Sequence, residues 1–395
     1  MNILFLSARM PFPMIGGDRI KSFHLLQHLA KSHNVSLITF YQGHENYHEF
    51  QKVIENIGVK VYVIPLHPIK ASLASIPRLY QLKPLEIYFY YQNAFKKKVE
   101  EYLKSETPDL IISFFMRTAE YVKHLPYKKI LIAEDSRILY QSRSAKDSRN
   151  LIQKFARTYE VASLKHYEPH IMNYFDIVTF VTKEDIEFSK KWNPNVKYEL
   201  LTNGTDVDKY VPADFNLRKN IIFTGKLDLW ANDLMIMRIV DNILPIIRQK
   251  FPNIKFQIIG ARAPNMIKKL SKLPNIELYE NVLDFTPYLQ QARVFLHPHL
   301  GGSGIQNKVL EAMSAGAPVV TTLSGNQGIY GIHREHLMIG NNDAELAQLA
   351  IEVLENDELA RKISVNGRQH ILNTHSWEII YKKMDDIISE LFNEK

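Results

Sequence analysis

The residues richest in chemistry lie between Leu296 and Val320, where Gly301-Gly302-Ser303-Gly304 is followed by Gln306, Asn307, Lys308 and Glu311. Three glycines around a serine leave backbone N–H groups uncovered. At a helix start those groups and the helix dipole together bind a phosphate. Ser303 and Gln306 have the S-x-x-Q spacing of a capping box, which predicts a helix from Gly304 that ends at Gly316 before a strand opened by Pro318. Lys308 then falls in the second turn, within reach of the same anion. Glu311 lies eight residues past the cap, or roughly 12 Å along the axis at about 1.5 Å per residue. That separation suits a diphosphate at the helix start and a ribose lower down, since a carboxylate accepts two hydrogen bonds from a vicinal diol. The plainer alternative is a tight glycine turn followed by a solvated glutamate.

Such a loop needs a strand before it and a helix after it, and the rest of the chain supplies that pattern twice. Short apolar runs predict strands at 3–7, 35–40, 59–66, 109–115, 129–133 and 176–181, separated by stretches of helical period. The helix at 18–31 carries Asp18 as its expected N-cap. A turn-rich segment, Asn203 to Pro212, breaks the alternation. It restarts with strands at 221–224, 254–259, 276–279, 294–297 and 318–321, and helices at 231–250, 304–315, 343–355 and 376–393. The expectation is an α/β chain of two doubly wound, Rossmann-like domains facing across a cleft, lined by strand carboxyl ends and helix N-termini. The domains are expected at 1–203 and 204–375, with 376–395 as a helix returning to the first.

Composition narrows the function classes. At 395 residues the chain is long enough for two cores, and 46% hydrophobic with 23% charged residues is ordinary for a globular protein. No apolar run approaches the roughly 20 residues of a membrane-spanning helix. Zero cysteines remove disulfides, thiolate metal sites and cysteine nucleophiles. The first residues read as a strand and turn rather than a secretory signal, so a cytoplasmic chain is expected. The net charge of +7 lies almost wholly in 51–150, where 17 basic residues face 10 acidic ones. A field of that sign attracts anions such as acidic lipid headgroups, or serves solubility alone.

The stretch NKVLEAMSAGAPVV resembles the donor-binding motif of glycosyltransferase family 4, whose members have the GT-B fold. FTGKLDLWAND, IKFQIIGAR and NVLDFTPYLQQARVFLHP are similar to the segments that precede that motif. PFPMIGGDRIKSFHLLQHLAKSHNVSLITF resembles the family's opening strand, Gly-Gly loop and first helix. GSGIQNKVLEAM is most similar to a bacterial subgroup of surface-polysaccharide sugar transferases. The resemblance implies a retaining, metal-independent glycosyltransferase that needs no cofactor and takes a nucleoside diphosphate sugar as donor. It implies a glycan, lipid-linked or small-molecule acceptor and no nucleic acid. It places Gly16, Gly17, Gly225, Lys226, Gly260, Val282, Gly302, Ser303, Gly304, Gln306, Asn307, Lys308 and Glu311 at the donor.

Two departures from the family pattern stand out. Ser303 occupies the position of the motif's first glutamate, and Asn232 that of a phosphate-binding lysine. Lys308 or Arg19 is expected to compensate for the lost cation. Lys226, Asp135 and Arg19 are the residues expected nearest the reaction, and Arg117 and Asp135 those at the acceptor, with Glu134 also facing the cleft. Where a histidine is common in the family, this chain has Phe114. These losses favour one alternative, a non-catalytic partner subunit of the same fold; a second, a nucleotide-sugar epimerase, would need acid and base carboxylates flanking the sugar, and Ser303 in place of the glutamate counts against it.

Three further features carry weaker signals. Asp206-Val207-Asp208 has a metal-binding spacing but sits in the interdomain turn, and His297 and His299 form a poor zinc pair, so no metal is expected. The strip from Tyr80 to Tyr102 mixes aromatics with Lys96, Lys97 and Lys98. It reads either as a contact with an anionic membrane, at the inner face, or as a buried helix with a solvated end.

Overall fold

The computed structural model describes residues 1–43, 45–76, 81–146, 151–301 and 304–393, with the side chains of all but 143–146 and 151–156. The chain forms two compact units. The first comprises Met1–Asn203, Gly302–Gly304 and Tyr381–Lys395, and the second Gly204–Gly301 and Ile305–Ile380.

In the first unit seven strands, β1 (Asn2–Ser7), β2 (Asn34–Tyr41), β3 (Val59–Pro65), β4 (Leu110–Phe114), β5 (Lys128–Glu134), β6 (Ile177–Phe180) and β7 (Tyr198–Leu200), form one sheet. Its order is β3-β2-β1-β4-β5-β6-β7, and every pairing is parallel. Parallel strands are covered on both faces, which is why β1, β4 and β6 are runs of Ile, Leu, Val and Phe with almost no exposure. In the second unit β8 (Asn220–Lys226), β9 (Phe256–Ala261), β10 (Ile276–Glu280), β11 (Ala292–His297), β12 (Val319–Thr321) and β13 (Met338–Ile339) are ordered β10-β9-β8-β11-β12-β13. These too are all parallel.

Strand order reverses between β1 and β4 in the first sheet and between β8 and β11 in the second. Ligands of open α/β sheets bind outside the strand carboxyl ends at such switch points. Arg9 follows β1, Arg117 follows β4, Lys226 ends β8 and His297 ends β11, so these polar side chains fall where the topology opens a crevice.

The helices differ from expectation in instructive ways. The helix after β1 begins at Gly17, and its N-cap is Gly16 at φ 106°, not Asp18. The carboxylate of Asp18 instead pairs with Arg9 at 3.1 Å. The span 231–250 is divided: helix Trp230–Arg238, a π-turn over Ile239–Ile243 and helix Leu244–Lys250. The turn widens just ahead of Pro245, which has no N–H to continue the ladder. In the strip 80–102, of which Tyr80 lies outside the described residues, Tyr88, Tyr90, Phe95 and Tyr102 are core residues at 5% exposure or less. Lys96 and Lys98 pair locally with Glu100 and Glu101.

The last helix, Trp377–Asn393, contributes its C-terminal part to the first unit. Tyr381 stacks on His28 with ring centres 4.5 Å apart and donates to or accepts from His24 Nδ1 at 2.8 Å. Asp385 meets His28 Nε2 at 2.9 Å. No described helix is long and apolar enough to cross a membrane.

Candidate functional site

In the second unit helix Asn307–Ser314 starts later than its sequence suggests. Gln306 is the N-cap and makes no side-chain cap hydrogen bond. Gly302 and Ser303 lie outside the described residues, but their flanks, Gly301 (φ 114°) and Gly304 (φ 74°), both hold backbone angles that favour glycine. With the cap moved to Gln306, Lys308 enters the first turn. Glu311 falls on the next turn, roughly 4.5 Å further along the axis at about 1.5 Å per residue.

Lys308 is the hinge of the arrangement. Its Nζ lies over the Phe223 ring, 4.9 Å from the ring centre, and donates to Asn232 Oδ1 at 2.5 Å. The Asn232 amide in turn donates to the carbonyl of Lys226 at 2.7 Å. The residue that replaces a lysine therefore holds another lysine in place. Gly225 leaves the room: a Cβ there would stand 2.9 Å from Asn232 Nδ2 and 3.2 Å from Lys308 Nζ. Gly260 packs tighter still, since its Cβ would fall 1.9 Å from the Gly225 carbonyl oxygen. Lys226 itself is exposed at the end of β8.

The electrostatics are those of a desolvated site with no charge of its own to spare. Burial lowers the Lys308 ammonium to about 8, against the opposing pull of Glu311. Burial raises the Glu311 carboxyl to about 7, while Lys209, Lys308 and a hydrogen bond from Tyr210 work to lower it. His297 is fully buried with Nδ1 3.1 Å from Thr321 Oγ1. Its Nε2 has no partner among the described residues, and burial, Lys308 and His299 all hold the ring neutral. Val282 packs at the edge of the apolar cluster under this helix.

In the first unit a concavity of about 200 Å³ opens at the β1/β4 switch point, lined by Arg9, Asp18, Arg19 and Arg117 among others. Gly16 and Gly17 enter the helix that carries Arg19. Arg117 is not free: Glu86 accepts from its Nε at 3.0 Å and from Arg137 Nε at 3.1 Å. Those two guanidiniums bring the Glu86 carboxyl down to about 2 against the cost of burial. Arg137 also lies 3.9 Å from Asp135, so one charge network joins Arg117 to Asp135 through residues the sequence did not single out.

Glu134 corrects its expectation. It points into the first unit, 6% exposed, with Lys21 Nζ 2.6 Å away, and the same ammonium donates to the Leu201 carbonyl at 2.6 Å. The Asp206–Asp208 spacing is a turn: Asp206 Oδ1 accepts from the backbone N–H of Asp208 and Lys209. Among the described residues no group of three metal-ligating side chains gathers anywhere. Glu86, Arg137 and Tyr210 carried no sequence signal, because Glu86 lies 31 and 51 positions from the two guanidiniums it joins and Tyr210 lies far in sequence from Glu311.

Residues 218–356 match the family model described as glycosyl transferases group 1, so the second unit carries a domain of that type. Over nearly its whole length the chain is similar to an uncharacterized 44.6 kDa protein in the cps region of Klebsiella pneumoniae, 23% identical over 97% of this chain and 98% of that one. It is 25% identical to the capsular polysaccharide biosynthesis glycosyltransferase CapM of Staphylococcus aureus, over 56% of this chain and 57% of the other. Among solved structures it resembles Anabaena HepE in complex with UDP and glucose, with a TM-score of 0.69, 14% identity and coverage of 99% and 100%. The architecture is GT-B.

Proposed function

We propose that this chain is a retaining, metal-independent glycosyltransferase of surface-polysaccharide synthesis that uses a nucleoside diphosphate sugar. The observation that carries the reading is the pair Lys308 and Glu311, a half-buried cation and carboxylate on successive turns of one helix, at a sheet switch point. Lys308, Lys226 and the loop of Gly301 to Gly304 receive the diphosphate, and Glu311 accepts hydrogen bonds from the ribose. The similarity to a protein of a cps region and to a capsular polysaccharide biosynthesis glycosyltransferase supports the pathway class.

In the reaction the bond from the anomeric carbon to the diphosphate oxygen breaks. A bond to the acceptor oxygen forms on the same face, and the acceptor proton passes to the departing phosphate. On that route the protein positions groups and stabilises phosphate charge, so Ser303 in place of a glutamate is compatible with turnover. Lys226 stabilises the leaving charge, and Arg117 and Asp135 bind the acceptor, a glycan or lipid-linked sugar at the inner face of a membrane.

A thermal-shift series with UDP, GDP, ADP and CDP tests the donor assignment, because a ligand bound only by the native state raises the melting point. One nucleotide is expected to stabilise the wild type and not Lys226→Ala, and its sugar derivative to be hydrolysed slowly. No shift with any of the four would overturn the reading.

A further inference from the structure

Helix Pro68–Ser75 presents its apolar residues away from its own core. Ala71 and Ser75 are its buried pair, whereas Ile69, Leu73 and Ile76 are 77%, 60% and 59% exposed. Ile76 closes the helix with helical angles, φ −55° and ψ −49°. At about 100° per residue the three aliphatic side chains form one stripe, roughly 150° around the axis from the buried pair. Leu82, 61% exposed, follows close in sequence.

The sequence flanking this stripe is basic. Between Glu55 and Glu86 the chain has no acidic residue, while Lys60, Lys70, Arg78 and Lys83 are basic. Lys60 and Lys83 pair with Glu106 and Glu120 from elsewhere. Lys70 is exposed and has no ion-pair partner among the described residues. An aliphatic stripe with an unneutralised lysine suits an anionic bilayer, where apolar side chains sink below the headgroups and ammonium groups stay at the phosphates. A second copy is disfavoured, since a two-fold contact through this stripe would bring like charges together. A protein partner would more commonly be met by aromatic or arginine anchors, which the stripe lacks.

We propose that helix Pro68–Ser75 with Ile76 is a membrane-docking element, inserting Ile69, Leu73 and Ile76 at the headgroup boundary of an anionic bilayer. This locates the peripheral placement given above and rests on that reading, but it shares no residue with the proposed donor site, so the two can fail separately.

The test is co-sedimentation of the full chain with vesicles of phosphatidylcholine alone and of phosphatidylcholine with phosphatidylglycerol. Wild type should bind the anionic vesicles, less at high salt, and scarcely bind the zwitterionic ones. Ile69→Glu with Leu73→Glu should cut that binding by roughly tenfold or more, with the melting point and the nucleotide thermal shift retained. Leu73→Trp should show a blue-shifted emission on anionic vesicles. The proposal is overturned if wild type ignores anionic vesicles or if the double variant binds them equally. It is equally overturned if the double variant only converts a dimer to a monomer.

Discussion

At the residue scale, one cation has changed position. A lysine expected at 232 is an asparagine, and that asparagine accepts from Lys308 on a different element. If the amino group rather than its point of attachment matters, Lys308→Ala should weaken nucleoside diphosphate binding at least about tenfold, near 1.4 kcal/mol. Adding Asn232→Lys should restore part of it, because Lys308→Ala vacates the space. Calorimetric titration checks both, and a double variant no better than Lys308→Ala would show that Lys308 acts only in packing. The same pair sets a pH window. Binding needs Lys308 charged, so affinity should fall as pH rises past about 8. It needs Glu311 ionised for the ribose hydroxyls, so affinity should also fall as pH drops below about 7. Glu311→Gln should remove the acid limb and leave the alkaline one, which affinity measured across pH 6 to 9 would read.

At the scale of elements, the buried Lys21–Glu134 pair ties the helix Gly17–Leu29 to the end of β5 and to the chain after β7. Glu134 holds φ 68° there, next to Asp135, so the pair also fixes the backbone that presents a proposed acceptor ligand. Lys21→Met should cost about 3 kcal/mol by leaving a carboxyl buried without its cation. Adding Glu134→Gln should recover much of that loss in a denaturant-unfolding cycle, and strictly additive losses would argue that the two groups do not interact. The elements themselves were largely legible. Continuous apolar runs such as Ile3 to Leu6 can lie only in doubly covered strands, so the parallel sheets followed from the sequence. What was lost depended on contacts remote in the chain. β7, half-buried throughout, and the two-residue β13 lack an apolar run. Helix starts at 17 and 307 were misplaced because backbone angles at Gly16 and Gln306, not side-chain caps, open them. Lys308 and Glu311 were legible from spacing, but the Glu86 clamp was not, since nothing in sequence joins positions 86, 117 and 137.

At the scale of the whole molecule, two units with separate apolar cores need not melt as one, and a chain of this kind is not assured of two-state behaviour. The units also differ in what should move them. In the first, Glu168 accepts from the backbone N–H of Ile138 at 2.9 Å, and burial raises its carboxyl to about 8. Asp185 accepts from Ser136 N–H at 3.1 Å, and burial raises it to about 6. A carboxyl whose folded pKa exceeds its unfolded one favours the native state while protonated, and that contribution is lost as pH rises through the folded value. The first unit should therefore lose stability between pH 5 and 8, and Glu168→Gln, which keeps an acceptor without a charge, should flatten that decline. A nucleoside diphosphate should act on the other unit. Scanning calorimetry should then resolve two transitions. The nucleotide should raise most the transition of the unit that holds Lys226, Lys308 and Glu311, by an amount set by concentration over Kd; Glu168→Gln should change the pH dependence of the other and leave the nucleotide shift intact. If the nucleotide and Glu168→Gln moved the same transition, either the ligand would have been assigned to the wrong unit or the two units would unfold as one.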